Sequence, residues 1–182
     1  EASVKLSELY KEKEQEIEKI IVETHEPAIR IISNKENLKN ASDRDHSLEF
    51  MVAAGLLFKE VNSKTYEDNF SGLKQIENLR RKINAQENKE FTENYYDMSK
   101  RHIANTVYFE YTDGSFSKKE TVETPIGHPN RREEAEPLLK QKFINNMSSH
   151  FSEERAKDIW EKILLIDVDS EFKEVIKLLS ND

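Results

Sequence analysis

The chain has 182 residues, 36% hydrophobic and 35% charged, with 28 Lys and Arg against 36 Asp and Glu for a formal net charge of -8. That length suits one domain with a real core, and that balance offers no global field to attract nucleic acid or anionic lipid. Cysteine is absent, which excludes a disulfide, a thiolate zinc site, iron–sulfur ligation and a cysteine nucleophile.

The longest apolar run, Phe50 to Phe58, falls far short of the ~20 residues a spanning helix needs, and residues 1–20 carry no signal-peptide pattern. A cytoplasmic location is the compatible expectation. Ala2, Val4, Leu6, Leu9 and Tyr10 predict an opening helix that frays into the polar run from Lys11 to Glu16. The chain starts at Glu1, without methionine, in what reads as the middle of that helix, so residues 1–182 are expected to form a single domain cut from a longer protein.

Ile17, Ile20, Ile21 and Val22 suit a strand running into Thr24 and His25, and Asn34 to Asn40 reads as a polar loop. Asn40 or Ser42 can cap the next helix, predicted from about Arg44 to Lys59 and apolar nearly all round apart from Glu49. A short helix is expected over Ser63 to Phe70, and Leu73, Ile76, Leu79 and Ile83 continue a helical stripe after Gly72. From Ile103 to Tyr111 the period changes to two, Thr112-Asp113-Gly114-Ser115 is a hairpin turn, and Phe116 to Thr124 is its partner strand. The remainder is helical, with stripes at Ala135, Leu138, Leu139, Phe143 and Met147, at Ala156, Ile159, Trp160, Ile163 and Leu164 after a Ser152 cap, and at Phe172, Val175, Ile176 and Leu179. Pro137 is tolerable only near the first turn of its helix. The fold class is α+β, a small antiparallel sheet with a hairpin, layered with helices.

Three polar knots interrupt the apolar runs. In the first, His25 and Glu26 sit at a strand end with Arg30 in reach of an anionic group; alternatively His25 satisfies a backbone group and Arg30 pairs with Glu26. The second places Asp43, Arg44, Asp45, His46 and Ser47 at a helix start, as an anion site or as a capping network in which an acidic group pairs with Arg44 and His46. The third, Gly127 to Glu134, reads as a bent connection with solvated charges. The five histidines lack a His-x-x-x-His spacing, and no calcium loop, phosphate-binding glycine loop, dinucleotide fingerprint or Gly-x-Ser-x-Gly elbow occurs, so no metal is expected.

Taken in order, Thr24-His25-Glu26 with Ile29-Arg30-Ile31-Ile32, Asp43-Arg44-Asp45-His46-Ser47 with Phe50-Met51-Val52-Ala53, Tyr66-Glu67-Asp68, Phe109 to Gly114, and Pro125-Ile126-Gly127-His128 with Arg131-Arg132 resemble the C-terminal domain of the MmgE/PrpD family. The likeness spans nearly the whole chain and is nearest to the branch that dehydrates 2-methylcitrate to 2-methyl-cis-aconitate in propionate breakdown. It implies a lyase without an iron–sulfur cluster or other cofactor, a small tricarboxylic acid substrate, a homodimer, and a preceding helical domain that carries most of the catalytic groups. On the matching positions it implies that His25, Glu26 and Arg30, and Asp45, His46 and Ser47, approach the cleft between the two domains. A related activity such as cis-aconitate decarboxylation stays open, as does a non-enzymatic oligomerisation or partner-binding domain, for which the amphipathic C-terminal helices would serve.

Overall fold

In the computed structural model the described residues are 1–33, 35–167 and 172–180. They fall into two compact units, Glu1–Pro125 and Ile126–Asp182.

The first unit is built on a four-stranded sheet in the order β2-β1-β3-β4, formed by β1 (Ile17–Thr24), β2 (Ile83–Glu87), β3 (Asn105–Tyr111) and β4 (Glu120–Val122). β1 and β3 pair antiparallel with Ile20 opposite Phe109 and Val22 opposite Val107, so one face of the sheet is apolar and buried. β4 pairs antiparallel with β3. β2 joins β1 parallel, with Ile20 opposite Ile83, which corrects the expectation of a wholly antiparallel sheet within an α+β fold. Ile83 thus belongs to a strand and does not extend the preceding helical stripe.

The opening segment is two short helices, α1 (Ala2–Lys5) and α2 (Ser7–Lys13), and the helix persists through Lys11 to Lys13 where fraying was expected. α3 (Glu26–Ile32) follows β1 directly. The helix expected from Arg44 to Lys59 is two helices, α4 (Ala41–Asp45) and α5 (Leu48–Phe58), because two capping side chains compete for the same stretch. Asn40 accepts from the Asp43 amide and starts α4; Ser47, extended at φ -120°, accepts from the Phe50 amide at 3.3 Å and starts α5. α5 is buried nearly all round and packs against α1, α2 and β2. Gly55 is where α1 crosses it: a Cβ there would sit 2.3 Å from the Ser3 hydroxyl.

Residues 63–70 hold only a 3-10 turn, Ser63–Tyr66, followed by α6 (Leu73–Arg80), whose Ile76 and Leu79 reach the core. α7 (Lys89–Tyr96), capped by Asn88, lies where no stripe predicts a helix. The partner strand expected over Phe116 to Thr124 shrinks to β4 plus a single bridge from Glu110 to Phe116. Gly114 takes the positive φ (82°) that the turn requires.

The second unit opens with Gly127 at φ 95°, a 3-10 turn at Pro129–Arg131 and α8 (Arg132–Met147), followed by α9 (Glu153–Ile163) and α10 (Phe172–Leu178). Ser152 caps α9 as expected. Ala135 and Ile144 of α8 and Ala156 and Ile159 of α9 are buried, and the Phe143 and Trp160 rings meet at 5.3 Å. Leu138 and Leu139, assigned to the buried stripe from sequence, are exposed, and Pro137 lies past the first turn of α8, where it removes one backbone hydrogen bond. The side chains of Phe172 and Val175 lie outside the described residues, as does Asn34.

Candidate functional site

The end of β1 and the first turn of α3 carry the first knot. His25 is 5% exposed; its Nδ1 accepts from the Ala28 amide at 3.2 Å and its ring stacks on Tyr95 at 4.3 Å and 19°. An Nδ1 that accepts leaves the proton on Nε2, so the buried ring is a neutral donor. Burial pushes its pKa down, and the Glu26 carboxylate only partly opposes this. Glu26 accepts from Arg30 Nε at 3.0 Å and from Tyr96 OH at 3.5 Å, while its amide donates to Thr92 Oγ1 at 2.9 Å. Arg30 is 66% exposed and paired with its neighbour one turn back, as the local alternative held. Thr92, Tyr95 and Tyr96 share one face of α7, so a helix invisible as an apolar stripe fixes this knot.

The second knot divides among its members. Asp43 accepts from the Lys39 amide at 2.8 Å. Arg44 turns inward, 5% exposed, and donates to the Tyr66 carbonyl at 2.7 Å and to the Asp68 carboxylate. The Arg-Asp-His-Ser and Tyr-Glu-Asp segments, distant in sequence, thus meet through one guanidinium. His46 goes the other way, 67% exposed, with Nδ1 against Asp45 Oδ1 and 3.2 Å from the Ser42 carbonyl. Both neighbours are acceptors, so Nδ1 carries the proton and Nε2 keeps the lone pair. The hydrogen bond to Asp45, helped by the Ser42 carbonyl, raises the imidazole pKa. The two histidines therefore hold opposite tautomers.

Ser47 is fully buried and serves α5 twice, as its cap and as a 3.5 Å partner of Glu49. Glu49, the polar exception of an apolar helix, is likewise buried and accepts from Ser33 at 2.6 Å. Ser33 is the C-cap of α3. Glu49 therefore ties the end of the first knot's helix to the start of α5, a link for which the only sequence signal is a carboxylate among apolar residues.

In the third knot His128 Nδ1 accepts from the Asn130 amide at 3.2 Å, and Arg131 pairs with Glu134 at 2.6 Å.

His25 also lines a cavity of about 540 Å³ with apolar walls that include Val22, Ala28, Leu48, Val52 and Val107. Asn105 lines it too, and among the described residues Glu1 is the one charged residue that does. Among the described residues no group of three or more His, Asp or Glu could hold a metal ion, and no helix is long and apolar enough to cross a membrane.

The family model for the MmgE/PrpD C-terminal domain matches residues 1–167. The chain is 44% identical over 146 residues to the 2-methylcitrate dehydratase of Escherichia coli (strain K12), covering 80% of this chain and 30% of that protein. It is 38% identical over 144 residues to the 2-methylcitrate dehydratase of Cupriavidus necator (79% and 30%), and 36% identical over 144 residues to the mitochondrial 2-methylcitrate dehydratase of Yarrowia lipolytica (79% and 28%). The chain spans about three-tenths of the length of the curated relatives it matches.

Proposed function

The chain belongs to the MmgE/PrpD family as its C-terminal domain, and on that basis we propose that it forms part of a hydro-lyase converting 2-methylcitrate to 2-methyl-cis-aconitate in propionate catabolism. The observation that carries this is the 44% identity to a 2-methylcitrate dehydratase over 80% of the chain.

Dehydration of such an acid needs a base for the proton on a carbon next to a carboxylate, an acid for the departing hydroxyl, and cations or oriented donors for the carboxylates. His46 supplies the first need. Asp45 and Ser42 hold its Nδ1–H and raise its pKa, and its Nε2 lone pair is directed away from them. Asp45 orients and stabilises the imidazolium after the proton is taken. Ser47 and Glu49 fix the start of α5 beside it, while His25, Glu26 and Arg30 border the cleft from the turn of α3.

The cationic clamp for the carboxylates comes from elsewhere in the longer protein, since Arg30 is paired with Glu26 and Arg44 is committed to Tyr66 and Asp68. We therefore expect residues 1–182 alone to be inactive, and the intact protein to join this domain to a helical one. Our reading includes a homodimer, a cytoplasmic location, no cofactor, and no nucleic-acid or membrane partner, the last resting on the net charge of -8.

Steady-state assay of the full-length protein with 2-methylcitrate, following the conjugated product, tests this. Turnover of 2-methylcitrate supports the reading, whereas carbon dioxide release from cis-aconitate with no turnover of 2-methylcitrate would replace it with the decarboxylase. A non-enzymatic partner-binding role is favoured by one feature, the exposed Leu138, Leu139, Leu164 and Leu165 of the second unit. Inactivity on both acids would bring that role forward.

A further inference from the structure

The proposed dehydration needs an acid for the departing hydroxyl as well as a base, and a phenol stands at the start of α5, where the base is. The other polar side chains of that corner have structural work: Ser47 caps α5 and donates to Glu49, and the Arg44 guanidinium holds Asp68 and the Tyr66 carbonyl. Arg44 grips Tyr66 by its main chain. The phenol of the same residue is a proton donor by its own chemistry.

Three contacts fix where Tyr66 stands. It ends the 3-10 turn Ser63–Tyr66, which a capping box secures: Asn62 Oδ1 accepts from the Lys64 and Thr65 amides at 2.9 and 3.3 Å, and the Asn62 amide donates to Thr65 Oγ1 at 3.2 Å. The Tyr66 carbonyl accepts from Arg44 Nε at 2.7 Å, and its ring stacks on that of Phe50 at 5.8 Å and 27°. Phe50 is the residue whose amide Ser47 caps, so the Tyr66 ring lies against the first turn of α5, directly after His46 in the chain. The ring is half-buried, one side packed on the core. Burial raises the phenol pKa and the Asp45 carboxylate raises it further, so the group keeps its proton at neutral pH and lies within electrostatic reach of the carboxylate that holds His46 Nδ1–H.

We propose that Tyr66 is the acid of the dehydration, giving its phenolic proton to the departing hydroxyl while His46 takes the proton from carbon; the assignment rests on the dehydratase reading. As His46 Nε2 accepts that proton, the C–H electron pair becomes the second bond of the alkene, and the C–O bond breaks with its pair going to oxygen. The phenolic proton completes a water molecule. Hydroxide is a far stronger base than a phenolate, so a phenol with a raised pKa still donates to it. The imidazolium then returns its proton to the phenolate, which the nearby Asp45 carboxylate disfavours, and both groups are reset with one substrate converted to one alkene and one water.

The test compares the full-length protein with its Tyr66→Phe variant, which keeps the ring on Phe50, on 2-methylcitrate and on the analogue with fluorine in place of the hydroxyl. Fluoride leaves as an anion without taking up a proton, so an acid matters for the first substrate only. The unchanged protein should turn over both. Tyr66→Phe should lower kcat on 2-methylcitrate by about 100-fold or more with KM within about twofold, and kcat on the fluoro analogue by less than about threefold, at an unchanged thermal midpoint. His46→Ala, which lacks the base, should lose both substrates together. Full turnover of 2-methylcitrate by Tyr66→Phe overturns the assignment and leaves the dehydratase reading standing. An equal loss on the two substrates also overturns it, because a ring that only supports α5 would act on both alike. No turnover of 2-methylcitrate by the unchanged protein overturns the dehydratase reading and the assignment with it.

Discussion

The Arg44 guanidinium reaches the Asp68 carboxylate across a boundary between inside and outside, its own side chain 6% exposed and that of Asp68 79% exposed in the pair. The inner end of the contact is the Tyr66 carbonyl, which accepts from Arg44 Nε at 2.7 Å. The two halves of this arrangement are worth different amounts. Arg44→Ala leaves a part-buried carbonyl without its donor and empties a packed space, and should cost about 2–3 kcal/mol. Asp68→Asn removes a solvated partner, and should cost less than about 1 kcal/mol. Urea midpoints of the two variants at neutral pH check the ranking, and an equal loss would contradict it.

His25 predicts the acid side of the stability profile. Burial holds its folded pKa below the usual value near 6.5, so the unfolded chain takes up a proton that the folded chain refuses. Stability is then flat above about pH 6.5 and falls as the pH drops from there through the depressed folded value. His25→Asn keeps a side chain able to cap α3 but cannot titrate, and should flatten that limb. Denaturation midpoints from pH 8 to pH 5 on both proteins show whether the limb belongs to His25.

The opposite sign applies to His46. Its folded pKa is raised by the Asp45 carboxylate and the Ser42 carbonyl, so any stability it adds is present at acid pH and lost as the pH rises through the folded value. In the intact enzyme, Asp45→Asn should lower the His46 pKa and move the acid limb of the turnover profile to lower pH by the same amount, with KM little changed. His46→Ala should lower turnover by about 10² to 10⁴ without unfolding the domain. NMR titration of His46 beside the kinetic profile tests both, and unchanged turnover in His46→Ala would return this residue to a surface role.

Ser47 carries a helix cap and a buried carboxylate partner at once. Ser47→Ala should cost about 2 kcal/mol, more than a cap alone, because the Phe50 amide loses its acceptor and Glu49 loses a donor. Ser33→Ala, which removes only the 2.6 Å donor to Glu49, should cost about 1 kcal/mol. Thermal melts of the two variants and the double variant would show a coupling if Glu49 links them, and strict additivity would deny the link.

What the sequence made legible follows from how much of each element's order is local. β3 could be read because Val107 and Phe109 alternate with polar neighbours, and α9 because its Ser152 cap and apolar spacing agree. β2 could not, because an edge strand of Ile83-Asn84-Ala85-Gln86-Glu87 buries one large side chain, which continued a helical stripe equally well. The division at Ser47 was hidden by the apolar run on its far side, although a capping serine between two acidic segments is itself a helix-start signal. In the site, the pairing of Arg30 with Glu26 is a one-turn contact and was foreseeable. The contacts of His25 with Tyr95 and of Arg44 with Asp68 join segments that only the folded chain brings together, and no periodicity encodes them.

The parallel pairing of Ile20 with Ile83 also sets an order of assembly. About sixty residues must be drawn into a loop before that contact exists, and closing such a loop costs roughly 3–4 kcal/mol of chain entropy in advance of any reward. β1 meets β3 across a still longer interval, so β1, one of the two inner strands, has no local partner, whereas β3 and β4 are neighbours in sequence. The β3–β4 hairpin can form early, and β1 enters last with its helices already shaped around it. Refolding of this domain should therefore run in milliseconds to seconds, and substitutions at Ile20 should mainly speed unfolding while leaving the folding rate nearly untouched.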